Sequence, residues 1–306
     1  MSTTLTANTD PAGEEQHQDR RRTRIAKRVW ISVLVLAIVG VGIGALMLLA
    51  WMVDETHFDR PSQEFDDFER QVASLPGVDG VDKERWVEAP TFSHPTSWMS
   101  VSLDEAGLPG LLEAACSTDY PDPVTWSMLV RTPAGADVSL HAGATDPSAA
   151  DSGTQCPDFG FDAVALVHEL DRVATGLAVQ PVIWDNGRFA LVALDGGFVQ
   201  VLPLVEHADE LLAAAGLDTD NAVEISSPNL GVVLEPGESE EYLALLTELT
   251  ELHSVRSFWA DPDGSQADGI EKVQIVAPED EHAAIEDRIR ASGLHIADLP
   301  VRFIEQ

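Results

Sequence analysis

The sequence predicts an α+β protein: one N-terminal transmembrane helix, then an extracytoplasmic domain of repeated strand-strand-helix units. Three observations point there. An uncharged apolar run spans Val29 to Val53, short alternating segments follow it, and helical periods fall between pairs of those segments. The chain has 306 residues, 44% of them apolar, which is enough to build a core and too apolar for a disordered acidic chain.

Residues 1–28 are polar, without an apolar period, and end in six cations, Arg20, Arg21, Arg22, Arg24, Lys27 and Arg28. At about 1.5 Å of rise per residue, the helix over 29–53 reaches roughly 37 Å, more than the ~30 Å hydrocarbon core of a bilayer. Trp30 and Trp51 stand near its two ends, where indoles favour the headgroup zone. A cleaved export signal has a shorter apolar core and small residues at its processing site, whereas Ala45-Leu46-Met47 and Leu49-Ala50-Trp51 end in bulky ones. The cations before the span and Asp54, Glu55 and Asp59 after it place residues 1–28 in the cytoplasm and 54–306 outside.

Of 18 basic and 52 acidic residues, six and four precede residue 54, so residues 54–306 hold 12 and 48, a net charge of −36. That surface repels phosphate backbones and excludes nucleic-acid binding by the bulk of the chain. The two cysteines, Cys116 and Cys156, fall on the exported side, where thiols pair and stay paired, so a disulfide is expected between them. Neither belongs to a Cys-x-x-Cys redox motif.

Element by element, a helix is expected over Glu64 to Leu75, where Phe65, Phe68, Val72 and Leu75 recur at helical spacing before Pro76-Gly77 stops it. Strands are expected at Val78–Glu88, Ser97–Leu103, Val124–Thr132, Asp137–His141, Leu177–Trp184, Phe189–Leu194, Ala222–Ser226, Gly231–Glu235, Ser254–Ala260 and Ile270–Ala277. The intervening helices are Pro109–Cys116, Phe161–Thr175, Val205–Ala215, Glu238–Leu252 and Glu279–Ser292. Asp185-Asn186-Gly187-Arg188 predicts a tight hairpin, because Asn-Gly takes the positive φ angles of a two-residue turn. Pro133 to Ala136 and Asp261 to Gly264 predict longer turns.

The order strand-helix-strand, strand-helix-strand runs from Ser97 to Trp184 and again from Phe189 to Ala260, which resembles tandem ferredoxin-like, split βαβ units. The resemblance implies lobes at 97–185 and 188–260, with flanking segments at 64–88 and 270–304. The corner Leu75-Pro76-Gly77-Val78, followed by Val81, is similar to that of small metal-carrier domains of this fold. Their Cys-x-x-Cys is missing, so no metal is expected from it.

Gly40 and Gly44 form Gly-x-x-x-Gly, a face on which a second helix can approach closely. Asp261, Asp263, Ser265 and Asp268 alternate as calcium ligands do, yet Gln266 and Lys272 stand where a helix-loop-helix site needs glycine and a bidentate glutamate, so a hairpin turn is the better reading. His168-Glu169 lacks the second histidine of a zinc-protease helix, with Arg172 in its place, and His57, His94, His141, His207, His253, His282 and His295 show no ligand spacing. The acidic groups Glu279-Asp280-Glu281 and Glu238, Glu240 and Glu241 follow from helix-start electrostatics. Gly107-Leu108-Pro109-Gly110 reads as a turn, and Trp98, Trp126, Trp184 and Trp259 as core or sheet-face residues. No catalytic, cofactor or metal residue is assigned.

The expected function is that of a single-pass protein of the bacterial cell envelope whose exported domain is a non-catalytic interaction or scaffolding module. Its partners are the lipid bilayer and an envelope protein or a second copy. The alternative is an envelope hydrolase, or a ligand or divalent-cation sensor, whose site is assembled in three dimensions.

Overall fold

The computed structural model describes residues 57–88, 94–143, 156–260 and 271–304. The expected membrane span with Gly40 and Gly44, and the loop of Asp261, Asp263, Ser265 and Asp268, lie outside them. Among the described residues no helix is long and apolar enough to cross a membrane. Of the described residues, 59–87, 94–143, 156–260 and 271–304 group as one compact unit.

Mixed α+β structure is confirmed, with twelve strands in one sheet and seven α-helices among the described residues. The strands are β1 (His57–Asp59), β2 (Val78–Glu88), β3 (Thr96–Asp104), β4 (Val124–Arg131), β5 (Asp137–Ala142), β6 (Ala178–Ile183), β7 (Phe189–Ala193), β8 (Val223–Ser226), β9 (Leu230–Leu234), β10 (Ser257–Ala260), β11 (Val273–Val276) and β12 (Val301–Phe303). The helices are α1 (Gln63–Ala73), α2 (Leu108–Ser117), α3 (Ala163–Val173), α4 (Phe198–Glu206), α5 (Ala208–Ala214), α6 (Ser239–His253) and α7 (His282–Arg290).

The strands lie side by side in chain order. From β2 onward pairing alternates: β2–β3 antiparallel, β3–β4 parallel, β4–β5 antiparallel, and so on to β11–β12 parallel. Each antiparallel pair is a chain-adjacent hairpin, and each parallel pair from β3–β4 onward is bridged by helix. This corrects the expected split βαβ arrangement, in which a third strand lies between the two parallel ones. Here Met99 pairs directly with Trp126, and Leu191 with Ile225, so no strand intervenes. Each hairpin adds its second strand at the growing edge of the sheet, and the next crossover departs from that edge.

Alternation along the strands sets the layers. Met99, Val101 and Leu103 of β3, Val124, Trp126, Met128 and Val130 of β4, and Val138 and Leu140 of β5 are buried, while the residues between them face outward. The buried set joins one cluster with the helix stripes, including Phe65, Phe68 and Val72 of α1, Leu166, Val167 and Leu170 of α3, and Tyr242, Leu245, Leu246 and Leu249 of α6. Such burial stabilises each large apolar side chain by about 1.5–3 kcal/mol. The opposite face carries Ser100, Ser102, Ser127, Ser139, Gln180, Ser226 and Gln274 at half-buried positions.

Caps and breaks explain the helix limits. Ser62 Oγ accepts from Phe65 N (3.3 Å) at the start of α1, and Asp162 Oδ1 accepts from Ala165 N (3.0 Å) at the start of α3. The segment expected as one helix from Val205 is two. α4 begins at Phe198, where Gln200 Oε1 accepts from Gly197 N (2.6 Å), runs through Pro203, and gives way at His207 to α5. Proline inside a helix removes a hydrogen bond, which disguised the early start. The Asn186-Gly187 hairpin is also a residue longer than expected. Trp184 N donates to Arg188 O (2.9 Å), Gly187 N to Trp184 O (2.8 Å), and Gly187 alone of the turn residues takes positive φ, +84°. That is a type I turn ending in a glycine bulge, and Thr132 to Ala136 repeats it with Gly135 at +91°.

Cys116, near the end of α2, is bonded to Cys156, with Cα atoms 4.2 Å apart. The expected disulfide is thus present. Closing a loop of 40 residues' separation contributes roughly 4 kcal/mol in the chain-entropy model.

Candidate functional site

A groove lies where β3, α2, the β4–β5 turn and α3 converge. It encloses about 720 Å³ and is lined by Asp104, Glu105, Ala106, Leu108, Pro109, Arg131, Thr132, Pro133, Val164, His168 and Asp171. Its position follows from the topology. β3 and β4 are parallel neighbours, so the end of β3, with the start of its crossover helix, lies beside the end of β4 and the turn that follows. α3 then packs alongside on the same layer.

The sequence Gly107-Leu108-Pro109-Gly110, read as a turn, is the entry into α2: Glu105–Gly107 makes one 3-10 turn and Pro109 sits in the first helical turn. Gly107 is required there, because a Cβ on it would lie 2.9 Å from the Pro76 carbonyl oxygen. Asp104 N donates to Gly77 O (2.8 Å) at the same corner. The Leu75 to Val78 corner therefore braces the groove.

Four ionisable groups of the groove, Glu105, Arg131, His168 and Asp171, bond within the chain. His168 Nδ1 lies 2.9 Å from Glu105 Oε1 and spans from α3 to the 3-10 turn. Hydrogen bonding to Glu105, with that carboxylate's negative charge, raises the His168 pKa above its ordinary value. Arg131 forms an ion pair with Asp79 of β2 (2.9 Å), and Asp171 Oδ1 accepts from Ala134 N (2.6 Å). Buried Leu108 lies in the wall, and Val164 is 38% exposed at the rim. The result is a braced, part-apolar cleft whose polar groups are already oriented.

A second polar cluster sits at the other end of β3. Arg85 donates to Tyr120 Oη (3.1 Å), Asp122 Oδ2 (2.7 Å) and Arg60 O (2.7 Å), and Ser97 Oγ is 2.6 Å from Tyr120 Oη. Tyr120 stacks on Phe65 and Phe68 of α1, with ring centroids 5.0 and 6.0 Å away. Burial raises the Tyr120 pKa against the opposing hydrogen bonds from Ser97 and Arg85. The cluster fastens α1 to the sheet.

Histidines that look scattered in the sequence each meet a separate partner in the fold. His253 Nδ1 is 2.7 Å from Glu281 Oε2, and His295 Nδ1 is 2.7 Å from Glu238 Oε2. Glu238 and Glu281, read as helix-start residues, thus also join α6 to the segments on either side of α7. His207 pairs locally with Glu210, and His141 Nδ1 is 2.9 Å from Ser127 Oγ. His282 stacks on Phe303 at 3.6 Å, beside a smaller cleft of about 450 Å³ that includes Arg256 and Glu279. Among the described residues no group of three or more His, Cys, Asp or Glu could hold a metal ion.

Of the tryptophans, Trp126 is core, Trp98 and Trp259 occupy the alternate strand face, and Trp184, just past the end of β6, is 40% exposed. Set against known proteins, the chain matches no family model and is similar to no curated protein and no solved structure.

Proposed function

We propose that the protein is a single-pass component of the bacterial cell envelope, anchored by residues 29–53, whose exported domain binds a partner rather than turning over a substrate. The observation that carries this reading is the groove between α2 and α3. The Gly77–Gly107 contact fixes the corner beside it, its lining includes the exposed Val164, and its charged side chains are held by the chain's own groups. A preformed cleft of this kind gains contact area without the cost of ordering loops. The Cys116–Cys156 bridge supports an oxidising compartment, and the run of cations before Val29 supports the orientation. A second copy contacting the Gly40 and Gly44 face is the companion proposal within the membrane.

The test is site-specific photocrosslinking in intact cells, with the crosslinker replacing Val164 or, as a control, Arg302 on β12. The reading expects one discrete adduct from position 164, weakened by Arg131→Glu, and none from 302. An absence of adducts at 164 and at neighbouring groove positions would reject the groove as a docking site and favour a hydrolase or sensor.

A further inference from the structure

The sheet has two unlike faces. Its core face meets the helices, and its outer face carries the alternate residues of each strand. Leu129 of β4 is 38% exposed on that outer face, and Leu194, just past β7, is 49% exposed. Between them the register runs through uncharged side chains. Leu129 pairs with Ser139, Gln180 with Val192, Val192 with Ser226, and Ser226 with Gly231.

Charge sets this face apart. Residues 54–306 hold 12 basic and 48 acidic side chains, four acids for each base. From β3 to β12 the outer strand positions hold three acids, Asp104, Asp137 and Glu224, against two arginines, Arg131 and Arg302. Arg131 stands in register between Asp104 and Asp137, and Arg188, next to β7, lies 3.4 Å from Glu224. The face is close to neutral in a strongly anionic domain.

That contrast selects the occupant. A net charge of −36 repels a second copy wherever acids meet acids, so two copies approach closely only through a surface relieved of net charge. A cationic partner would gain most on the acidic remainder. Size agrees with this reading. Strands β3–β10, spaced by about 4.8 Å and about five residues long at ~3.3 Å each, cover roughly 600 Å², and specific interfaces bury about 600–1,000 Å² on each partner.

We propose that the outer sheet face is a contact between two copies of the chain, stacked sheet on sheet about a two-fold axis, with Leu129 and Leu194 in the seam. Stacked sheets lie about 10 Å apart with strand directions within about 30° of each other. The helix layers of both copies then face away from the seam.

The test is the mass of the full-length protein in detergent, measured by light scattering across a concentration series. A Gly44→Leu background keeps the glycine face of the expected membrane span out of the result. The proposal expects a dimer that Leu129→Glu and Ser139→Glu each loosen by ~100-fold or more in dissociation constant, since like charges are set into the seam of both copies. Leu252→Glu, the same charge at a 69% exposed site near the end of α6, should leave it intact. Thermal unfolding shows that each variant is folded, and Ser139→Glu decides alone if Leu129→Glu is not. A single-chain mass at every concentration overturns the proposal, as does a dimer that neither seam substitution loosens or that Leu252→Glu loosens equally.

Discussion

The indole of Trp259 lies against the backbone of Gly231: a Cβ on Gly231 would stand 2.9 Å from Trp259 Cδ1. The two are register partners on the parallel strands β9 and β10. In a strand, glycine weakens the element unless something approaches its backbone, and here an aromatic ring does. The contact packs the sheet on the side away from the helices.

Gly231→Ala should therefore destabilise the domain, by about 1–3 kcal/mol, as overpacked sites do. Without the indole the same change would add up to ~1 kcal/mol by restricting the unfolded chain. Chemical denaturation of Gly231→Ala and of Gly231→Ala/Trp259→Leu separates the two, and the penalty should vanish in the double variant.

The two matching hairpins make a second prediction. Gly135 and Gly187 have φ of +91° and +84°, with no atom within 4 Å of a Cβ at either, so alanine meets backbone strain and no clash. Gly135→Ala and Gly187→Ala should each cost about 1–2 kcal/mol, and asparagine at either position should cost less because it tolerates this conformation. Equilibrium unfolding curves of the four variants check the ranking.

His168 should titrate above an ordinary histidine, because the Glu105 carboxylate bonds its ring and attracts its proton, with Asp171 and Glu169 adding to the attraction. A raised folded-state pKa means the pair's stabilisation is complete below the unfolded histidine pKa, about 6.5, and is lost as pH rises through the folded value. NMR titration of the imidazole should show the elevated midpoint, and Glu105→Gln should bring it down.

The chain's two tyrosines, Tyr120 and Tyr242, both have pKa values raised chiefly by burial. Above an unfolded tyrosine pKa of about 10, the unfolded state loses protons that the folded state keeps, so stability should fall as pH climbs. Tyrosinate absorbance should stay below that of free tyrosine in the folded protein and rise together with the loss of helical circular dichroism.

Most secondary structure was legible because the outer domain keeps its periods. Phe65, Phe68 and Val72 mark α1 at helical spacing, and Met99, Val101 and Leu103 mark β3 by alternation. Pro203 hid the first half of the α4–α5 pair. Strand order was not legible, since strand-helix-strand units joined by hairpins read alike whether a new strand inserts between two others or adds at an edge. Pairings such as Trp126 with Met99 decide between them, and alternation carries no information about partners. The candidate groove was hidden for a related reason. His168 and Glu105 are 63 positions apart, and Glu238 and His295 57, so neither pair forms a motif. Cys116 and Cys156 were legible despite their separation because two cysteines allow one pairing.

The most direct test of an exported, envelope-anchored domain is the redox state of Cys116 and Cys156 in living cells, trapped by acid quenching and alkylation and read by intact mass. The account predicts that neither cysteine is alkylated until reductant is added and that both are alkylated afterward. Two cysteines alkylated at once, without reductant, would mean that the domain resides among cytoplasmic thiols and would contradict it.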